Sequence, residues 1–470
     1  MQGDAKNPIF SAAELKRLAV HPGDVASAAL AAGEIATARA LCAGSLDMHR
    51  DLGDGYWLWI TKHQQHVIAH YGLETFHAML PESIAPWLRP LAEQFRNGVT
   101  REAIGYLAQI WRMACPRFGP VHEDADRITI DLHGGSDFFR VTQDGTLWTS
   151  GGALSLDRVH ATDGIDPVVP LLSTAILHAE ALMIDWLGYP PFTVEFDASA
   201  APARLVVQKD PSAIPHRFFL RAGKVPDRRL IRGAVDAAGG LLFGRAELSA
   251  MAQQAMTKAV AAIDRGDLPR AIGWCQLSKG EWYPTHHILR DWITAQMGFV
   301  YTRYGADALY AAVGEGHTAS QMEPMIKAVA AMDLRTQVEV LAAGFRQHAM
   351  RFRIEEHEDR FAFVTEPCGS GGRLIQEGAY AFPKNLPKIR ERHKAGFYLE
   401  DFPVYCTHCP STNEHVLTAG GPQFLLVDGD LMNVPDGNCT FYIFKDPDAV
   451  PDRFFRRAGL VERGCRSTLS

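Results

Sequence analysis

The sequence predicts an α+β protein built from two copies of one domain. The main observation is a fifteen-residue segment that occurs twice, because Lys209–Gly223 recurs as Lys445–Gly459 with eleven identical positions at an offset of 236. The second observation is a change within each copy from helical periodicity to strand alternation. Helices followed by mixed strands and helices indicate an α+β layer architecture. A repeat this long indicates a duplicated domain and not a solenoid array.

Shorter matches extend the repeat upstream at a nearly constant offset. They are Gly33-Glu34-Ile35 with Gly266-Asp267-Leu268, Cys42 with Cys275, Trp59-Ile60 with Trp292-Ile293, and Tyr71-Gly72 with Tyr304-Gly305. We therefore predict copy one over residues 24–223, a linker over 224–255, and copy two over 256–459, after a short lead-in. Each copy of about 200 residues is long enough to bury a large core without covalent staples.

The first part of each copy is helical in period. Apolar residues between Ala261 and Trp274 follow three-four spacing, and the pattern continues from Asp291 to Tyr304. Gly305 follows directly, and glycine after the last periodic residue is a usual helix end.

The second part of each copy is strand-like. Strands are predicted at 128–130 and 361–364, and a hairpin-like pair at 193–196 and 205–207. The corresponding pair in copy two lies at 424–427 and 441–444. Between the strand pairs of copy one, residues 169–186 are predicted to form a helix.

Composition excludes several classes of protein. The net charge of −7 gives no electrostatic basis for binding nucleic acid or an anionic membrane. The N-terminus lacks the basic-then-apolar pattern of a signal peptide, and no apolar run is long enough to cross a membrane. Eight cysteines in such a chain indicate reduced thiols or metal ligands. We expect a cytoplasmic protein.

A cysteine cluster occurs only in copy two. Cys406 and Cys409 form a Cys-x-x-Cys, whose thiolates can reach one tetrahedral ion from a tight turn. Cys439 opens a predicted strand, and Cys368 lies in a glycine-rich turn. Copy one has Ala203 opposite Cys439, and only His133 lies near the position of Cys368. His408, between the two cysteines, is a further ligand candidate. The prediction is zinc, with a redox pair and plain buried thiols as alternatives.

The end of copy two resembles known families over about forty residues. Tyr405-Cys406, a stretch with a glycine-rich turn, and Asn438–Ile443 resemble the end of vinyl-reductase-type ligand-binding domains. The same pattern is similar to the end of the aminothiazoline-carboxylate hydrolase-like family. The first resemblance implies a small hydrophobic ligand and, in some members, zinc held by cysteines and an acidic residue.

The resemblance also implies specific ligands. Cys406 and Cys439 match the outer cysteines of that zinc site, and the acidic ligand falls on Asp428 or Asp430. The middle cysteine has no counterpart, because Leu431 and Met432 occupy its place. Cys409 or Cys368 is the substitute.

Residues near the cluster suggest what the metal does. Four thiolates make a closed structural site, whereas three ligands and a water leave a Lewis acid for hydrolysis. Glu414 and His415 are candidates for a general base or proton shuttle. Arg373 is a candidate for bidentate binding of a carboxylate. The alternatives are surface polarity for Glu414 and His415 and a turn cap for Arg373.

Copy one carries its own candidate site. His63, His66 and His70 have the spacing that places them on one helix face. Their counterparts in copy two are Gln296, Phe299 and Arg303, so this trio is not common to both copies. It predicts an iron or haem site, and the alternative is a polar helix face.

Aromatic residues concentrate in the helical parts, where they form either core or a pocket for a flat apolar ligand. They are Tyr56, Trp57, Trp59, Trp282, Tyr283, Trp292, Phe299, Tyr301 and Tyr304.

Taken together, these features predict a zinc enzyme of small-molecule metabolism. The reaction class is metal-assisted hydrolysis or ring opening of a small apolar or aromatic substrate. No phosphate-binding loop, nucleophile elbow, His-Glu-x-x-His or dinucleotide fingerprint is present in the sequence. Two other functions remain open: a small-molecule binding protein with a structural zinc, and an iron or haem oxygenase using the histidines of copy one. The expected partner is a small molecule, not nucleic acid or membrane, and a homodimer is left open.

Overall fold

The computed structural model combines helices and antiparallel sheets, which confirms the predicted α+β class. It describes residues 8–46, 48–96, 98–114, 118–132, 171–196, 202–231, 240–382, 384–419, 424–430 and 432–460. The chain divides into two compact units. Residues 23–296 are called the large unit here, and residues 1–22 with 297–470 are called the small unit. Within the described part of the chain, no helix is long and apolar enough to cross a membrane.

Helices make up most of the large unit. They are Pro22–Ala31, Ile35–Gly44, Arg50–Gln94, Arg101–Ala114, Leu171–Leu187, His216–Arg221, Arg228–Ile231, Arg245–Met251, Ala255–Asp264, Leu268–Glu281 and the first part of Tyr283–Val313. The pattern from Ala261 to Trp274 covers two helices and not one, because Gly266 takes a φ of 75° between them. Glycine adopts this left-handed conformation without steric cost.

The large unit contains one antiparallel sheet of order β1-β2-β4-β3. Its strands are Phe118–Glu123 (β1), Arg127–Leu132 (β2), Thr193–Phe196 (β3) and Pro202–Gln208 (β4). The predicted pair at 193–196 and 205–207 is present as β3 against β4. The helix predicted over residues 169–186 is present as Leu171–Leu187, between β2 and β3. His133 lies outside the described residues.

The small unit contains a second sheet, of order β5-β6-β10-β9, and a two-stranded ribbon of β7 and β8. The strands are Phe352–Glu356 (β5), Arg360–Thr365 (β6), Lys388–Ile389 (β7), Phe402–Pro403 (β8), Leu426–Val427 (β9) and Thr440–Phe444 (β10). The helices are Ala12–Leu18, the part of Tyr283–Val313 from residue 297, Glu323–Ala330, Leu334–Gln347, Gly371–Gln376, His408–Ala419 and Asp452–Arg457, with a π-helical segment at Gly314–Met322.

The predicted stop at Tyr304-Gly305 is an interruption and not a helix end, and Tyr71-Gly72 interrupts a helix in the same way. Gly72 has φ 84° and ψ 169° within Arg50–Gln94, and Gly305 has φ 86° and ψ −176° within Tyr283–Val313. Glycine allows the backbone to leave the helical conformation for one residue. The helical path then resumes in both places, because apolar residues continue to pack beyond the break.

The lysine that opens each repeated segment makes the same buried contact in each unit. Lys209 lies 2.7 Å from the carboxylate of Glu123 at the end of β1, and Lys445 lies 2.8 Å from Glu356 at the end of β5. Each carboxylate also accepts two backbone N–H groups from an incoming segment, Leu242 with Phe243 and Ile9 with Phe10. Buried charges require such compensation, which explains why the lysine is retained in both segments.

The rest of the repeated segment forms a capped turn and a short helix. Asp210 and Asp446 each accept the backbone N–H two residues later, at 2.8 Å in both cases. This capping satisfies donors at the start of the turn. The aromatic pairs of the short helices are buried in both units. They are Phe218, Phe219, Phe454 and Phe455.

Three helices of the large unit form a common core. Helices Ile35–Gly44, Ala255–Asp264 and Leu268–Glu281 enclose one core of small residues. At its centre, Cys42 and Cys275 are fully buried, and their sulphur atoms are 3.4 Å apart. These two cysteines are the aligned pair of the sequence repeat.

Candidate metal centre in the small unit

Four cysteines of the small unit lie in turns or at the ends of elements. Cys368 lies between β6 and helix Gly371–Gln376, and Cys406 lies in the 3-10 turn Val404–Thr407. Cys409 is in the first turn of helix His408–Ala419, and Cys439 directly precedes β10. Only 6–8% of the surface of Cys406, Cys409 and Cys439 is exposed. We call these four residues the thiol cluster.

Cys368 is the acidic member of the thiol cluster. The thiol of Cys439 donates a hydrogen bond to its sulphur, and the backbone N–H groups of Gly372, Ser370 and Gly371 donate three more. These contacts lower the pKa of Cys368 to about 6, against the opposing effect of burial. The glycine-rich turn therefore holds a thiolate.

The other three thiols respond to that charge. Burial raises the pKa of Cys406 and of Cys409, and the Cys368 thiolate adds to both shifts. The hydrogen bond to Cys368 raises the pKa of Cys439, with burial and the charges of the other sulphurs adding to it. The pKa of Cys368 is therefore lowered, whereas the pKa values of its three neighbours are raised. A divalent cation would favour deprotonation of all four.

His408 has the arrangement of a metal-binding histidine. Its Nδ1 lies 2.7 Å from the Tyr405 carbonyl oxygen, which assigns the proton to Nδ1, and its Nε2 lies 3.5 Å from the Cys409 sulphur. Burial lowers the pKa of His408 to about 4, so the ring is neutral. Ligating histidines usually donate their other N–H to such a carbonyl.

Two further histidines of the small unit lie beside His408. No sequence motif includes them. The ring of His317 is 5.2 Å from that of His408, between centroids, and His317 lies in the π-helical segment. His348 Nδ1 is 2.9 Å from the Ser370 hydroxyl, and burial, with His408 and Arg373 adding to it, lowers its pKa to about 3. π-helical turns often mark functional sites.

Glycine is required where the turns of the thiol cluster approach each other. A Cβ on Gly371 would lie 2.6 Å from the Cys406 sulphur. A Cβ on Gly372 would overlap the carbonyl oxygen of Gly437. These close approaches explain the glycine-rich turn in physical terms, because any side chain there would displace a neighbouring sulphur or turn.

Gly371→Ala is therefore expected to disrupt the thiol cluster. The added methyl group would clash with the Cys406 sulphur, and overpacking of this kind costs about 1–3 kcal/mol of unfolding free energy. Gly344→Ala is the matched control, because its Cβ would meet nothing within 4 Å in the interior of a helix. The control should stabilise the protein by up to about 1 kcal/mol. Denaturant unfolding measures the unfolding free energy of both variants. An equal change in the two variants would contradict the expected clash at Gly371.

The predicted catalytic residues have other partners. Glu414 accepts hydrogen bonds from Tyr310 and Lys394, and His415 lies near Glu323. Neither is joined to a cluster sulphur by any contact among the described residues. Arg373 donates to the Ala349 carbonyl at 2.6 Å.

The two predicted acidic ligands are ion-paired. Asp428 is buried and lies 2.9 Å from Arg453, and Asp430 pairs with Arg457. Both arginines belong to the repeated segment. Leu431 lies outside the described residues.

A small cavity borders the thiol cluster. Cys406, Cys439 and Met432 contribute to its lining, and water-sized groups can occupy a volume of about 10 Å³. This is space for about one water molecule. The cavity is therefore too small for a substrate molecule.

The donor set fits zinc in its chemistry, because thiolate and neutral imidazole are the ligands that zinc prefers. Zn–S distances of about 2.3 Å place sulphurs of one tetrahedral site roughly 3.8 Å apart. Within the described part of the chain, no three ligand atoms of this cluster all lie within 4.8 Å of one another. Binding an ion would therefore draw the turns together.

The predicted histidine site of the large unit lies on helix Arg50–Gln94. His63 is fully buried, and the rings of His66 and His70 are 4.2 Å apart between centroids. Burial, with His66 adding to it, lowers the pKa of His63 to about 3. Whether the trio binds iron or haem stays a prediction.

His63 is expected to make folding pH-dependent. Its folded pKa of about 3 lies below the unfolded value of 6.5, so the unfolded chain binds the extra proton at mildly acidic pH. Its stabilising contribution is complete above pH 6.5 and decreases by about 2 kcal/mol as the pH falls to 5. His63→Gln should reduce the pH dependence of unfolding by this amount in urea unfolding measured at several pH values. His122→Gln, at a side chain that is 62% exposed, is the control and should keep the slope.

Comparison with protein-family models, with curated proteins and with solved structures found no match.

Proposed function

We propose that the thiol cluster binds zinc and that the protein is a zinc-dependent enzyme of small-molecule metabolism. The observation that supports this most strongly is the meeting of four cysteines and His408 from separate turns in one buried place. As predicted from the sequence, the reaction class is hydrolysis or ring opening of a small apolar or aromatic substrate.

The proposal assigns a role to each residue. We assign the metal ligands to Cys368, Cys406, Cys409 and Cys439, whose thiolates would hold zinc, with His408 as a further candidate ligand. Bound zinc supplies a Lewis acid that polarises a carbonyl or lowers the pKa of a water. The other roles are assigned as follows: Arg373 binds a substrate carboxylate, Glu414 and His415 transfer protons, and His348 is an added candidate beside Ser370.

A second function is a ligand-binding protein with a structural zinc. The small volume beside Cys406 and Cys439 favours it, because four thiolates around an ion would leave no open position. The iron or haem oxygenase using His63, His66 and His70 is the third candidate. In all three cases we propose a cytoplasmic location, which fits free cysteines, and a small-molecule partner.

We also infer that the chain arose by duplication and that each copy begins with an arm. Phe10 and Phe243 are separated by the same 233 residues as Cys42 and Cys275. Arg335 stacks on Phe10 and Arg101 stacks on Phe243. The arm 9–18 packs beside β5 of copy two, and the arm 242–251 packs beside β1 of copy one. This exchange of arms supports descent from a domain that dimerised by swapping.

Cobalt substitution distinguishes the first two functions. Metal-free protein is loaded with Co²⁺, and its sulphur-to-cobalt charge-transfer bands report thiolate ligation. Adding azide or imidazole should shift the visible bands if one position is open, as the enzyme requires. An unchanged spectrum would favour the second function, in which the zinc is structural. Absence of thiolate bands would contradict metal binding by the thiol cluster.

A further inference from the structure

We propose that the large unit contains a second binding site, for a compact and neutral aromatic molecule. Helices Arg50–Gln94, Arg101–Ala114, Leu171–Leu187 and Tyr283–Val313 enclose a cavity of about 100 Å³ there. Its walls are almost wholly apolar and include Trp57, Trp87, Trp111, Trp292, Met183 and Leu88. This site is distinct from the thiol cluster and does not require bound zinc.

The polar side chains around the cavity are already engaged. Glu180 accepts from Arg221 and from the N–H of Val194, and Thr285 donates to the Ile110 carbonyl at 3.0 Å. The Trp87 indole nitrogen is buried and has no hydrogen-bond partner among the described residues. The walls therefore offer the Trp87 N–H as a donor, and the charge of Glu180 is compensated by Arg221. They favour a neutral ring with at most one acceptor, because an unpaired charge would be costly to bury.

The size of the cavity limits the ligand to about one ring. Dry apolar cavities of roughly 150 Å³ accept benzene, and this cavity is somewhat smaller. Burying apolar surface contributes about 25 cal/mol per Å². A single ring should therefore bind weakly but measurably, and a charged or sugar-like molecule should not.

Part of the cavity wall in copy one corresponds in sequence to residues at and beside the thiol cluster in copy two. At the offset of 233, Ile84, Ala175 and Ile176 of the cavity wall correspond to His317, His408 and Cys409. One further pair supports this alignment: Glu180 accepts the N–H of Val194, and Asn413 accepts that of Val427. This step depends on the proposed duplication. Two equivalent places, one lined by thiols and imidazoles and one by apolar groups, indicate one ancestral ligand site.

Binding of fluorobenzene to the full chain, followed by fluorine NMR, tests the proposal. The wild type should bind it at millimolar concentration or below. Ala175→Leu fills the cavity and should weaken binding at least tenfold. Ala181→Leu is the control, because it is buried on the same helix but does not line the cavity. Thermal unfolding shows whether each variant is folded. Absence of wild-type binding, or equal weakening by both folded variants, would overturn the proposal.

The Trp87 N–H is tested with a pair of probes of similar size. Trp87→Phe should weaken benzonitrile, which carries an acceptor, about tenfold more than it weakens toluene. An equal loss of affinity for both probes would show that the Trp87 N–H does not bind the ligand. The site would then select ligands by shape alone. Zinc content of the same samples should stay constant, which separates this result from any failure of the metal proposal.

Discussion

Cys439→Ser is expected to lower the zinc content of the purified protein from one ion per chain to less than a tenth of that. A serine hydroxyl does not ionise near neutral pH and is a poor zinc ligand, so the site loses one of its thiolates. Structural zinc sites with thiolates bind with about 10–16 kcal/mol, and removing one ligand forfeits a large share of this. Elemental analysis of the variant measures the effect.

The control for this result is Cys275→Ser in the large unit. Cys275 is also fully buried, but its sulphur contacts Cys42 and not the thiol cluster. The control should keep its zinc, although replacing a buried thiol lowers its stability. Full zinc retention in a folded Cys439→Ser protein would remove Cys439 from the ligand set.

Arg221→Met is expected to cause a large loss of unfolding free energy. Arg221 donates to both carboxylate oxygens of Glu180, which is 1% exposed, and to the Val194 carbonyl. The variant leaves Glu180 as an uncompensated buried charge, and breaking a buried pair in this way costs about 3–5 kcal/mol. Urea unfolding near neutral pH measures the loss.

Two further variants make this expectation specific. Arg217→Met lies on the same helix, but its side chain is 70% exposed and it pairs with Glu195 only at 3.6 Å. Its loss should stay below about 1 kcal/mol. Adding Glu180→Gln to Arg221→Met should recover part of the lost stability, since the stranded charge is removed. If Arg217→Met costs as much as Arg221→Met, burial of Glu180 does not explain the effect.

The local elements could be predicted from sequence because their signals are local. Thr193–Phe196 alternates over four residues and forms β3 over the same four. The repeated segment forms a turn in both units, and Asp210 and Asp446 cap these turns through local hydrogen bonds. The outer strands β1 and β5 were missed, since neither alternates cleanly: Phe118–Glu123 contains Gly119 and Pro120, and Phe352–Glu356 is mostly charged.

Sequence patterns pointed to some residues of the candidate metal centre and not to others. The four cysteines stood out because copy one lacks them, and the structure places them together. His317 and His348 lie far from the cysteines in sequence, and only tertiary packing brings them to His408. One signal for His317 was present, since the position aligned with it in copy one is the apolar Ile84. Glu414 and His415 were predicted from nearness in sequence, whereas their contacts in the fold are with Tyr310, Lys394 and Glu323.

Elemental analysis of the purified full-length protein, with a visible spectrum of the same sample, tests the central claim most directly. The claim is that the thiol cluster of the small unit holds zinc. It requires one zinc per chain and a colourless protein. Iron in place of zinc, especially with a strong haem band, would contradict it and favour a site at His63, His66 and His70. A folded protein that stays metal-free after incubation with zinc would also contradict the claim.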